Sequence, residues 1–125
     1  MCFIGSIKDT KTRVYHKEHR VAPIPVETER VATETIGAAI EVHRQLGPGF
    51  LENLVVNYKG TSIAGQRIDL VIASCVLVEL KATVTLHVIQ EVKVISYLRT
   101  TGLRLGLLLN FHEPTLKQGL KRIVC

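Results

Sequence analysis

Three residues on two short β-branched runs have the types and spacing of a site for a metal ion and a phosphate. Asp69 belongs to the run Ile68–Ala73, and Glu79 and Lys81 belong to the run Val76–Ala82. With a three-residue loop between two strands, the runs form a hairpin in which Asp69 stands opposite Glu79, and Lys81 follows on the same face. Two carboxylates and one ammonium group on one patch can hold a divalent cation beside a phosphate. The alternative is that they are ordinary exposed charges on the solvated face of an antiparallel pair.

The composition describes one ordinary globular domain. The chain has 125 residues, 46% apolar and 22% charged, which is enough to bury one core but not two. Its apolar runs are too short to cross a bilayer, and its first residues lack the apolar core of a signal peptide. We therefore expect a cytoplasmic protein that does not associate with membranes. Cys2, Cys75 and Cys125 are widely spaced and match no zinc or disulfide pattern, so we expect reduced thiols.

The chain as a whole has a net charge of +5, and lysine and arginine are concentrated at its start. Residues 1–24 show no sustained hydrophobic period, and Pro23 and Pro25 favour extended backbone. We treat residues 1–24 as a basic N-terminal arm and residues 25–125 as the domain. Such an arm can add sequence-independent attraction to nucleic acid. The alternative is a solvated terminus with no partner.

A first helix is predicted over about Glu27–Leu46, because apolar residues recur there at helical spacing and Gly47 follows. The predicted apolar stripe comprises Val31, Thr35, Ala38, Ala39, Val42 and Leu46, widened by Ile36 and Ile40. Gly37 among alanines indicates close approach to another element. Residues 50–56 fit either a short helix or a strand, and turns are predicted around Gly60 and Gly65.

A second helix is predicted over about Leu86–Thr100, with Thr85 as its cap and Gly102 as its end. Its core-facing stripe is predicted to comprise Val88, Val92, Ile95 and either Leu98 or the stem of Arg99. The apolar run Leu103–Phe111 is typical of a central strand covered on both faces. A last short strand is predicted at Lys121–Val124. This order of elements predicts an α/β sandwich with a mixed sheet.

Five segments follow one another over most of the chain: GAAIEVHRQLGPGFLE at 37–52, RIDL at 67–70, VELKA at 78–82, ISYLRTTGLRLGLLLNF at 95–111 and KRIV at 121–124. Together they resemble the bacterial GxxExxY protein family, which is placed within the PD-(D/E)XK nuclease superfamily. The resemblance runs from about Val31 to Val124. It implies a restriction-endonuclease-like α-β-β-β-α-β core, with a mixed central sheet flanked by helices and the metal site at the hairpin.

The resemblance also implies roles for individual residues. Asp69 matches the superfamily's aspartate, and Glu79 and Lys81 match its (D/E)xK pair. Glu52 matches the glutamate of GxxE. In such enzymes the acids bind Mg²⁺ or Mn²⁺, so Asp69 and Glu79 would be ligands and Glu52 a third acid. The cation polarises the scissile phosphate of a nucleic acid, and the lysine orients water or offsets charge on phosphorus.

The chain departs from the family pattern at two places that bear on the site. Between Glu52 and Tyr58 it is much shorter, so part of one helix and one strand are missing. The sheet edge left beside the Asp69 strand would invite pairing with a second copy, forming a homodimer. Lys93 stands where the family usually has glutamine, and it can reach a phosphate but cannot also accept a hydrogen bond. Gln90, one turn earlier on the same face, could take over that role.

The sequence therefore supports two functions. The first is a metal-dependent nuclease centred on Asp69, Glu79 and Lys81, which the acid–acid–lysine set favours. The residues expected to contact phosphate beside it are Arg67, Gln90 and Lys93, although Arg67 could instead pair with Glu79. The alternative is a catalytically inactive nuclease-fold module that binds nucleic acid or protein, which the shortened region and Lys93 favour.

Overall fold

The computed structural model describes residues 2–6, 22–48, 55–58, 61–64 and 69–125, and at residues 6, 55–58, 61–64 and 69 it describes the backbone alone. Within these ranges the strands are β1 (Phe3–Ser6), β2 (Val55–Tyr58), β3 (Thr61–Ala64), β4 (Asp69–Ile72), β5 (Val76–Lys81), β6 (Leu105–Asn110) and β7 (Leu120–Val124). The helices are α1 (Val26–Leu46), α2 (Val88–Thr101) and α3 (Leu116–Gly119). The predicted turn residues Gly60 and Gly65 lie outside the described ranges.

One mixed five-stranded sheet organises the domain. Its strand order is β1-β7-β6-β5-β4, and β2 and β3 form a separate antiparallel pair. Strands β5 and β6 run parallel, whereas the other neighbours in the sheet run antiparallel. The parallel pair is joined through α2, as a crossover between parallel strands requires. The predicted α/β fold of restriction-endonuclease-like type is confirmed.

The two faces of the sheet carry separate cores. Even-numbered residues of β5, such as Val78, pack with Val31 and Ala32 of α1. Odd-numbered Leu77 packs with Val94 and Leu98 of α2. Strand β6 lies between them with every residue buried, which confirms the predicted central strand. Glu79 and Lys81 therefore belong to the face that α2 covers, since side chains alternate along a strand.

Helix α1 confirms the predicted helix and part of the predicted stripe, since Val31 is buried with Ile36, Ala39 and Ile40 packed against the core, but towards its C-terminus the buried face is rotated from that stripe. Val42 and Leu46 are exposed, whereas His43 is buried. The rotation follows the polar contacts of α1: His43 Nε2 lies 2.8 Å from the carbonyl oxygen of Glu113, and Glu29 binds Arg122 of β7 at 2.8 Å. The Arg122 hydrogen bond lowers the pKa of the Glu29 carboxyl from its usual value.

The close approach predicted at Gly37 is wrong. A Cβ there would meet no atom within 4 Å. Among the helices of the described ranges, none is both long enough and apolar enough to span a bilayer.

Helix α2 also differs from its prediction in cap and in face. Its N-cap is His87, not Thr85, and Val88 and Val92 are exposed. The buried residues are Val94 and Leu98. The predicted end at Gly102 is confirmed, because Gly102 adopts the left-handed conformation with φ 74° and its N–H donates to the carbonyl of Leu98.

The two ends of the chain meet at one edge of the sheet. Strand β1 pairs with β7, and Cys2 forms a disulfide with Cys125. The expectation of reduced thiols is therefore wrong for these two cysteines, although Cys75 is free. Strand β1 lies within the segment that the sequence assigns to an arm, and its four residues are too few to show an alternating pattern. The boundary proposed at residue 24 stays a prediction.

The opposite edge of the sheet is β4. Within the described ranges it pairs with β5 on one side only, and Leu70 and Val71 on it are exposed. Such an edge presents unpaired backbone groups that another strand can bind.

Replacing Gly119 with alanine will destabilise the domain. A Cβ at this position would stand 2.2 Å from the backbone oxygen of Asn110, so α3 or the end of β6 must shift. We expect the free energy of unfolding to fall by about 1–3 kcal/mol, as at other overpacked positions. Urea denaturation followed by circular dichroism measures this loss.

Gly37→Ala provides the matched control. The position is exposed within α1 and has open space around it, so alanine should raise the free energy of unfolding by about 0.5–1 kcal/mol. Equal losses in both variants would contradict the packing described around Gly119.

Candidate functional site

The hairpin of β4 and β5 has the predicted register. Asp69 is the backbone partner of Glu79, and Ile72 is the partner of Val76. The loop comprises three residues, of which Ala73 and Ser74 have positive φ values of 49° and 57°. Left-handed backbone is uncommon for residues other than glycine. The length of three residues fixes the register of the hairpin and makes Asp69 and Glu79 backbone partners.

Glu79 and Lys81 form a buried ion pair. Their side chains are 1% and 8% exposed, and Lys81 Nζ donates to Glu79 Oε1. The neighbour of Glu79 on β6 is Leu108, which is also fully buried. The alternative of ordinary solvated charges is therefore wrong for this pair. A carboxylate removed from water in this way needs compensating charge.

A second ammonium group reaches the same carboxylate from α2. Lys93 Nζ lies 3.9 Å from Glu79 Oε1 and 5.4 Å from the centre of the Tyr97 ring. The Lys93 side chain is 26% exposed, so it is partly accessible to solvent while its amine faces the buried acid. The sequence indicated Lys93 but not Tyr97, although their spacing of four residues places them on one face of a helix.

The other oxygen of Glu79, Oε2, is buried, and it has no hydrogen-bond partner within the described part of the chain. A buried acceptor without a partner is costly. A hard cation would satisfy this oxygen, and Asp69 is the backbone partner of Glu79 across the hairpin. Glu79 Oε2 therefore fits a divalent cation.

Two of the predicted site residues, the acid Glu52 and the base Arg67, lie outside the described residues. In the ranges that the structure describes, no group of three acidic, histidine or cysteine side chains could hold a metal ion. A complete set of protein ligands would therefore need an acid from outside those ranges, a role that the sequence assigns to Glu52.

Gln90 has a structural contact that sequence reasoning missed. Its Oε1 accepts a hydrogen bond from the His87 backbone N–H at 3.2 Å, at the start of α2. A glutamine three residues after the cap is the usual partner in a capping box. Its amide oxygen is therefore engaged in the helix cap, which leaves the amide NH₂ group to donate elsewhere.

Asn110 fixes the chain that follows Lys81. It is the parallel partner of Lys81 on β6 and is fully buried. Its amide accepts from the Thr83 N–H at 3.0 Å and donates to the Thr83 carbonyl at 2.8 Å. The signal in the sequence is a polar residue at the end of an apolar run. This contact holds the end of β5 and hence the position of Lys81.

Gly106 allows α2 to approach the sheet. It lies on β6 beside Leu77, and a Cβ there would stand 2.8 Å from Val94 Cγ1. A side chain at this position would push α2 outward. The close approach brings Lys93, one residue before Val94, within reach of Glu79.

Comparison with known proteins identifies the family. A family model described as the PD-(D/E)XK nuclease superfamily matches residues 53–123. The match covers more than half of the chain and includes β4, β5, α2 and β6. Neither the curated proteins nor the solved structures contain a match to the chain. The chain therefore belongs to the PD-(D/E)XK nuclease superfamily.

Proposed function

We propose that this domain is a metal-dependent phosphodiesterase that cleaves nucleic acid, and that within its superfamily it is a GxxExxY protein. The observation that carries the proposal is the buried carboxylate of Glu79. One of its oxygens binds Lys81, and the other has no partner in the described part of the chain. Membership of a nuclease superfamily supports nucleic acid as the substrate.

Asp69 and Glu79 would hold the cation, with Glu52 as a third acid. Mg²⁺ or Mn²⁺ suits these oxygen ligands. When bound, the cation supplies Lewis-acid polarisation of the scissile phosphate. These acids would hold the cation beside β4 and β5, since Asp69 and Glu79 are directly paired in the sheet.

Lys81 would act on the reacting phosphate. Its ammonium group is held by Glu79, and its backbone is held by the contacts of Asn110 and Phe111, whose N–H donates to the Lys81 carbonyl at 2.7 Å. A fixed cation of this kind can orient the attacking water and offset charge that develops on the phosphate oxygens. We assign the remaining phosphate contacts to Lys93, to the amide NH₂ of Gln90 and to Arg67.

An inactive nuclease-fold module that binds nucleic acid or protein is the second candidate. The observation that favours it is Lys93, because a second ammonium group near Glu79 offsets the negative charge that would attract a metal ion. The two candidates differ in whether the site binds a divalent cation at all.

Location and association complete the proposal. We propose the cytoplasm as the location. The basic segment 1–24 would strengthen attraction to nucleic acid. We also propose a homodimer formed by antiparallel pairing of β4 with β4 of a second copy.

Glu79→Gln should abolish binding of a divalent cation. The amide keeps the shape of the side chain and an oxygen for Lys81, but it loses the negative charge that attracts the cation. We expect Mg²⁺ or Mn²⁺ affinity to fall at least about tenfold, as for loss of an essential interaction of this size. Isothermal titration calorimetry measures it, with nucleic acid both absent and present.

Glu91→Gln is the control for that titration. Glu91 is a half-buried acid on α2 that pairs with Lys121, outside the proposed metal ligands. The Glu91→Gln variant should bind the cation with the same affinity as the unaltered protein. Equal affinities for the unaltered protein and Glu79→Gln would remove Glu79 from the ligand set.

Lys81→Met should slow cleavage while retaining the metal. Methionine has a similar length but cannot stabilise charge on the phosphate, so we expect the rate to fall about 100-fold or more. The measurement is cleavage of labelled DNA and RNA oligonucleotides with Mg²⁺ or Mn²⁺, after a thermal melt shows that the variant folds. A folded, metal-loaded wild-type chain that cleaves none of these substrates would favour the inactive module.

Val71→Lys should prevent the proposed dimer. Val71 is 53% exposed on β4, and a charge on an edge strand opposes pairing with another copy. Sedimentation velocity should show a dimer for the unaltered chain and a monomer for the variant. Val88→Lys places the same charge on the exposed face of α2 and should remain dimeric. Loss of the dimer in Val88→Lys alone would place the interface on α2.

A further inference from the structure

Among the described side chains, two ammonium groups already compensate the Glu79 carboxylate. Lys81 contacts Glu79 Oε1, and Lys93 lies 3.9 Å from the same oxygen. A divalent cation entering this cluster would be repelled by both ammonium groups, so Lys93 competes with it for Glu79.

Lys81 and Lys93 differ in how readily their side chains can move away from Glu79. Lys81 is 8% exposed and lies on β5, held between the sheet and α2. Lys93 is 26% exposed, lies on the helix surface and rests on the Tyr97 ring. A long side chain with its amine at the solvent boundary can turn to a new partner at little cost, whereas a buried one cannot. Lys93 is therefore the mobile charge of the cluster.

We propose that Lys93 is a tethered counter-ion that occupies the Glu79 carboxylate until a nucleic acid phosphate withdraws it. The phosphate offers the ammonium group an anionic partner with several acceptor oxygens. Withdrawal of Lys93 removes one positive charge from beside Glu79 and so strengthens the attraction of this carboxylate for the cation. Nucleic acid and metal then bind cooperatively. The metal site is therefore occupied mainly in protein molecules that have nucleic acid bound. This inference rests on the proposed metal-dependent function.

Thermodynamic linkage makes the coupling reciprocal. If an oligonucleotide tightens metal binding by a given factor, the metal must tighten oligonucleotide binding by the same factor. We expect a factor of about ten, within the range of coupled sites in proteins. Lys93→Gln should reduce the coupling to what direct attraction between phosphate and cation contributes, because glutamine has no charge to transfer between the two partners.

The experiment is a calorimetric titration of Mn²⁺ into the full chain, with and without a short phosphorothioate DNA oligonucleotide that resists cleavage. Without the oligonucleotide, Lys93→Gln should bind Mn²⁺ about tenfold more tightly than the unaltered protein. Addition of the oligonucleotide should tighten Mn²⁺ binding about tenfold in the unaltered protein and by a smaller factor in Lys93→Gln, where only direct attraction between phosphate and cation remains.

Two further variants separate charge from shape and from location. Lys93→Arg retains the positive charge and should behave as the unaltered protein does. Lys117→Gln makes the same substitution at an exposed position of α3 and should also leave the titration unchanged. A thermal melt of each variant checks that it folds.

The outcomes distinguish this inference from the function on which it rests. Equal Mn²⁺ affinity of Lys93→Gln and the unaltered protein would overturn the proposal that Lys93 is a counter-ion of Glu79. Tighter binding by Lys93→Gln, with no effect of the oligonucleotide on the unaltered protein, would overturn the withdrawal by phosphate. Absence of Mn²⁺ binding in every variant, Lys93→Gln included, would overturn the metal-dependent function itself and the inference with it.

Discussion

A carboxylate buried beneath a helix is the constraint on which the rest of this structure depends. Glu79 is 1% exposed on the α2 face of the sheet, and transfer of such a charge out of water costs several kcal/mol unless other groups compensate it. Lys81 compensates from the same strand and Lys93 from α2. The position of α2 is therefore set by electrostatics as well as by apolar packing. Gly106 makes that position accessible, because a side chain there would collide with Val94.

The part of the site that the sequence predicts correctly is the part fixed by local geometry. Loop length and alternation determine which residues of an antiparallel hairpin face each other, and Asp69 is indeed the partner of Glu79. Strand β6 was also predictable, since a continuous apolar run has few places in an α/β fold other than the centre of the sheet. In both cases the controlling residues are close together in the chain.

The faces of the helices were predicted only in part: Val31 on α1 and Leu98 on α2 are buried as predicted, but other predicted residues are exposed, for a physical reason. An apolar stripe predicts which side of a helix is buried only where apolar contact decides its orientation. On α2, Glu91 binds Lys121 and Lys93 approaches Glu79, so charged residues face the sheet while Val88 and Ile89 are exposed. The partners of Glu91 and Lys93 lie far away in sequence, and no local sequence pattern predicts such pairs. The same holds for the disulfide between Cys2 and Cys125.

The two ion pairs that join α2 to the sheet have different consequences. Glu91 binds Lys121 of β7 with side chains 13% and 34% exposed, next to the apolar contacts of Val94 and Leu98. That pair and those contacts hold the helix against the sheet whether or not Lys93 is engaged. Lys93 adds a longer contact of 3.9 Å from a side chain that reaches solvent. Loss of this contact therefore changes the charge at Glu79 without releasing α2, so the proposed exchange of Lys93 for a cation would leave the fold around the site in place.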